Sequence, residues 1–180
     1  MTKSTHFLLG ELSAQTDEII NVLNNETDIG AVLIATSFLD ACLTTLLGNV
    51  LKKGKTTNKI LEPRGILGTF SGKCDIAYCL NLIPKDLYTE LNTIGKIRNK
   101  FAHNHLNTEF TNDQIEPLCQ ELRLPEQFLE DHKDSSNIRD LERLIQLPNH
   151  RFATSIAQLS NLLISKGIGV QWHGYEKSRV

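Results

Sequence analysis

The stretch that decides the fold is KDLYTELNTIGKIRNKFAH, residues 85–103. Leu87, Leu91, Ile94, Ile97 and Phe101 recur at spacings of 4, 3, 3 and 4. That spacing puts all five on one face of a helix with about 3.6 residues per turn. The other positions are mostly charged or polar, so this is a surface helix with a buried stripe. Pro84 precedes it at a favoured early position, where its missing N–H costs nothing.

The neighbouring segments carry the same period. A helix over 11–24 places Leu12, Ile19, Ile20 and Leu23 on one face. Asp28 reads as the N-cap of a longer helix from Ile29 to about Lys53. Val32, Leu33, Leu39, Cys42, Leu43, Leu46, Leu47 and Val50 make that helix apolar round most of its circumference, which predicts a central place in a bundle. Lys52, Lys53 and Gly54 suit its C-terminal end. Residues 54–72 hold four glycines and Pro63 and read as a long connection or broken helix; 73–82 read as helical. Residues 104–136, broken by Pro117 and Pro125, are polar with room for two short helices. IRDLERLIQL, within 137–147, is a charged helical turn. Pro148 opens a last helix to about Lys166, with Ile156, Leu159, Leu162 and Leu163 inward and Gly167 as its stop. Trp172, His173 and Tyr175 fall in a tail, 168–180, that covers the core or makes contacts. No period-two run and no repeat competes with this pattern.

The expectation is one all-α domain over residues 1–180, a single bundle of six to eight helices. With 180 residues, 40% of them hydrophobic, the chain has apolar surface enough for a folded core. Ala31–Leu51 is the richest apolar stretch. Thr36, Ser37, Asp40, Thr44, Thr45 and Asn49 interrupt it, so no unbroken apolar run of about 20 residues exists. No signal peptide is readable at the start. Net charge is −2 with 19 basic and 21 acidic residues, which argues against broad nucleic-acid binding but leaves room for a local basic cleft. Cys42, Cys74, Cys79 and Cys119 form no CxxC pair and read as reduced, buried thiols of a cytoplasmic protein. No cofactor is expected.

One string carries candidate chemistry: Arg98-Asn99-Lys100-Phe101-Ala102-His103, followed by Asn104 and His105. Histidine titrates near neutrality and can move a proton; arginine can clamp a phosphate and stabilise developing charge; Asn99 can orient either. On a continuous helix Arg98 and His103 stand about 140° apart, so they converge only if the helix unwinds near His103. The structural alternative pairs Arg98 with Asp40, a carboxylate on the most apolar helix, and uses Asn99 and His103 to close the helix end.

RNKFAH also matches the R-N-x-x-x-H form of the HEPN superfamily of small helical domains, many of them metal-independent ribonucleases. SFLDACLTTLL, GILGTFSGKCDIAYCLNLIP and LNTIGKIRNKFAH together resemble the mannitol operon repressor family (MltR), best over residues 28–105. The resemblance implies a HEPN-type helical core and a regulatory role. It also implies pairing into homodimers. Read as a ribonuclease, it would make Arg98 the phosphate clamp, His103 the acid–base and Asn99 the orienter.

Other motifs are weaker. GTFSGK (68–73) has three residues between its glycines where a phosphate loop needs four, and Cys74 where Ser or Thr is needed. It reads as a flexible connection or a tight helix contact. His103 and His105 lack partners at metal-ligand spacing, so no metal is expected. Lys52, Lys53, Lys55 and Lys59 form a basic run that suits an acidic partner or a solvated helix end equally. A helix-turn-helix around Asn81–Pro84 would present Asp86 and Glu90 to phosphate, against DNA reading. The acidic set Glu109, Asp113, Glu116, Glu121, Glu126, Glu130, Asp131 and Asp134 suits a basic protein partner. The function expected is therefore a non-enzymatic regulator that binds a protein. The alternatives are an immunity protein against a basic nuclease toxin, and the HEPN ribonuclease.

Overall fold

A computed structural model describes residues 21, 23, 25–103 and 108–177. Among them run eight helices: α1 (Asp28–Val50), α2 (Lys55–Leu61), α3 (Phe70–Cys79), α4 (Lys85–His103), α5 (Glu116–Gln120), α6 (Leu124–Asp131), α7 (Ile138–Leu144) and α8 (Pro148–Lys177). The described residues hold no strand, and the chain is an all-α bundle.

α1 is the central helix, packed against α8, α4, α3 and α2. Val32, Ala35, Leu39, Leu43, Leu46 and Leu47 on it are completely buried. Its buried threonines avoid an unpaired hydroxyl by bonding back one turn: Thr36 donates to the Val32 carbonyl, and Thr44 to that of Asp40 at 2.8 Å. By length and a mean hydropathy of 1.8, α1 could cross a membrane, but 61% of that window is buried in the bundle. Its apolarity is that of a core helix.

α4 lays down the stripe read from the sequence: Leu87, Leu91, Ile94, Ile97 and Phe101 are all buried. Phe101 meets Phe110 edge-on at 5.1 Å between centroids, and Phe110 meets Phe152 of α8 at 5.2 Å. This aromatic chain ties the end of α4 to α8.

Several sequence expectations need correction. The cap of α1 is Thr27, whose hydroxyl accepts from the Gly30 N–H at 3.2 Å. Asp28 is the first helical residue and accepts instead from the Phe110 N–H at 2.8 Å. Of the two readings of residues 54–72 the broken helix fits and the long connection does not: they contain α2, a tight turn and the start of α3. A Cβ on Gly65 would stand 2.3 Å from the Lys59 carbonyl, and one on Gly68 would stand 2.4 Å from that of Pro63. The turn packs directly on backbone, which only glycine permits. α3 begins at Phe70, three residues earlier than expected, because Thr69 caps it through the Gly72 N–H at 3.1 Å. Gly167 does not stop the last helix, which runs on to Lys177 and takes in most of the expected tail. A helical glycine costs about 1 kcal/mol, too little to end a helix by itself. Cys79 is exposed, not buried, while Cys42, Cys74 and Cys119 are buried.

Candidate functional site

α4 stays helical through His103, and of its last turn only Phe101 points into the core. Arg98, Asn99, Lys100 and His103 are exposed. The expected pairing of Arg98 with Asp40 does not occur. Arg98 donates to Asn99 Oδ1 at 3.1 Å, and Asp40 instead takes Lys73, Nζ to Oδ2 at 2.6 Å. Lys73 is 3% exposed and lies one turn into α3. A buried ammonium needs a counter-charge more urgently than an exposed guanidinium does, and α3 packs against α1. The lysine of the glycine-flanked GTFSGK segment is thus a strut between two helices.

Arg98 and Asn99 line a groove of about 890 Å³ between α1, the start of α3 and α4. Leu33, Ser37 and Asp40 form one wall, Gly68 to Ser71 another, and Tyr88, Asn92 and Lys96 join Arg98 on the third. The Tyr88 hydroxyl donates to Asp75 at 2.8 Å, and that bond raises its pKa. His103 is not part of this groove. With the helix continuous, Arg98 and His103 remain about 140° apart. The convergence that phosphodiester cleavage needs is not made within these helices. Asn104 and His105 lie outside the described residues. Among the described residues no three His, Cys, Asp or Glu side chains gather as a metal site.

The acidic segment is ordered into α5, α6 and the turns beside them. Glu116, Glu121, Glu130, Asp131 and Asp134 are exposed, as are Glu109 and Asp113. Glu130 pairs with Lys133 at 3.0 Å on the surface, a weak contact at such exposure. Glu126 belongs elsewhere: it pairs with Arg151, whose side chain is 3% exposed. Arg151 also donates to the carbonyls of Leu122 at 2.6 Å, Cys119 at 3.0 Å and Ile145 at 3.4 Å. It closes the carbonyl ends around α5 and α7.

A second buried charge holds α6. Glu90 of α4, 5% exposed, accepts from the N–H groups of Arg123 at 2.9 Å and Leu124 at 3.2 Å. It also accepts from the Ser155 hydroxyl at 2.9 Å. A carboxylate at a helix N-terminus satisfies free donors and opposes the helix dipole. Arg151 was not singled out by the sequence, and Lys73 and Glu90 were named there only in other roles, in the GTFSGK segment and at the start of a helix-turn-helix. Glu90 left a trace, since it sits three residues after Leu87 and four before Ile94, on the buried stripe.

The buried thiols are inert. Burial pushes Cys42, Cys74 and Cys119 up to about 12, so all three stay protonated near neutrality.

With this architecture the chain is similar to a chain in the X-ray structure of the MtlR-HPr complex from Escherichia coli. The TM-score is 0.62 at 22% identity, covering 83% of this chain and 98% of that one. The chain is MtlR-like in fold. No family model matches it, and the search of curated proteins returns no match. The MtlR-like fold spans nearly the whole of the matched chain, so the likeness belongs to the complete bundle and not to a single helix pair.

Proposed function

We propose that this chain is a non-enzymatic regulator of the mannitol operon repressor type, working in the cytoplasm by binding a protein and not by reading DNA. The observation that carries the proposal is the fold it shares with a chain solved as a complex with HPr. The surface supports it. Residues 108–146 carry ten acidic and four basic side chains. Seven of the eight acidic candidates there are exposed and make no buried pair. A face of that charge steers a partner presenting lysines and arginines. Against DNA stands the exposed Asp86 at the start of α4; Glu90, expected beside it, is buried and faces no phosphate.

HPr from the same cell is the first partner to test. Titration calorimetry with the purified proteins is expected to show binding. Charge reversal at Glu121→Lys, Glu130→Lys and Asp131→Lys together is expected to weaken it at least tenfold. Absence of any binding by wild type would remove HPr, and unchanged binding by the triple variant would remove the acidic face.

The ribonuclease reading keeps one observation in its favour: Arg98 and Asn99 face an open groove and are not spent on the core. It requires cleavage of tRNA in EDTA by wild type and its loss in His103→Ala with an unchanged melt. The separation of His103 from the groove predicts no cleavage.

A further inference from the structure

The groove between α1, α3 and α4 has the size and charge of a ligand site. Small-molecule sites commonly enclose about 300–1,000 Å³, and this groove encloses about 890 Å³. Two cations line it, Lys96 and Arg98, and among the described residues neither forms a salt bridge. Arg98 has spent one donor on Asn99, which leaves most of its planar fork free for an oxyanion.

The groove holds one carboxylate, Asp40, and its charge is already met. Lys73 lies behind the wall, 4% exposed at the side chain, with its ammonium 2.6 Å from Asp40. Lys73 offsets the charge of Asp40, whose side chain is 35% exposed, and Lys96 and Arg98 remain as net positive charge. Asp75 accepts from the Tyr88 hydroxyl and does not line the groove. The ten-residue helix α3 starts in the wall, with Thr69, Phe70 and Ser71 in the lining. Its dipole adds to the same sign. Leu33, Phe70 and Tyr88 supply apolar contact for a carbon skeleton.

We propose that this groove binds a small phosphorylated metabolite, with the phosphate held by Arg98 and Lys96 at the start of α3. It would give the bundle a ligand input lined by none of the acidic docking residues. No bond is made or broken. The site is independent of the protein partner proposed above.

The test uses ribose 5-phosphate, with ribose and inorganic phosphate as controls, read by titration calorimetry on the full chain. Ribose 5-phosphate is expected to bind more tightly than phosphate alone, ribose not at all, and affinity is expected to fall as salt rises. Lys96→Ala with Arg98→Ala should weaken binding at least tenfold with the melting temperature unchanged, since both side chains are exposed. Ser37→Trp fills the groove from an exposed position on α1 without altering charge and should have the same effect. Lys52→Ala with Lys53→Ala removes equal charge outside the groove and should leave binding within twofold. No binding at millimolar ligand, or an equal loss in the Lys52 and Lys53 control, would overturn the proposal. So would tight binding of a single-stranded RNA through Arg98 without binding of ribose 5-phosphate.

Discussion

α1, α4 and α8 are held together differently from α5, α6 and α7. The first three share a core of fully buried leucines, isoleucines and phenylalanines. The short helices bury little: Cys119 from α5, Leu124 and Pro125 from α6, and nothing from α7. They are fastened by Glu90 reaching out from α4 and Arg151 from α8. The charge balance differs as well. Residues 50–103 carry ten basic and four acidic side chains, and residues 108–146 carry the reverse. A net charge of −2 conceals two oppositely charged segments on one bundle. Apolar burial gives a rigid support, and polar tethers let a charged surface sit on it at little apolar cost.

The largest effect should come from the support. Leu43→Ala, at a completely buried position, should cost roughly 3–4 kcal/mol by chemical denaturation. Both regions should then melt in one transition. Arg151→Met keeps the apolar stem but strips three carbonyls of their donor, and should cost about 2–3 kcal/mol. Hydrogen exchange should show α5–α7 opening before α1 and α4, a result that would separate the two regions directly. Glu90→Gln should cost about 1 kcal/mol, because one amide oxygen still accepts while the charge is lost. Its faster exchange should be confined to the amides of Arg123 and Leu124. The triple reversal at Glu121, Glu130 and Asp131 should move stability by less than about 0.5 kcal/mol. A larger loss would show that these residues also act as tethers.

The thiols divide along the same line between buried and exposed. A thiol reagent should modify one cysteine, Cys79, in the native protein and all four after denaturation. The buried thiols start to ionise from their ordinary value of 9.0 when unfolded but only near 12 when folded. Their contribution to stability is therefore complete below pH 9 and declines as pH rises towards 12.

What the sequence made legible follows from range. The stripe of α4, the central place of α1 and the starts of α4 and α8 at prolines are local patterns, and each was readable. The site was readable only as residue types. Arg98 and Asn99 were picked out, but their setting depends on Lys73 taking Asp40, a contact 33 residues apart. Glu90 reaches Ser155 across 65 residues. Arg151 gathers carbonyls from two turns. Such partners have no period to betray them. The end of α8 differs from the expectation for a local reason, since a glycine inside a helix costs about 1 kcal/mol and does not by itself stop it.

The most direct test of the account is hydrogen–deuterium exchange of the whole chain with and without its proposed protein partner. The account predicts protection over 109–134, centred on the exposed acidic residues of α5 and α6, with the groove between α1 and α4 unchanged. Protection confined to the groove, or none in 109–134 at saturating partner, would contradict it.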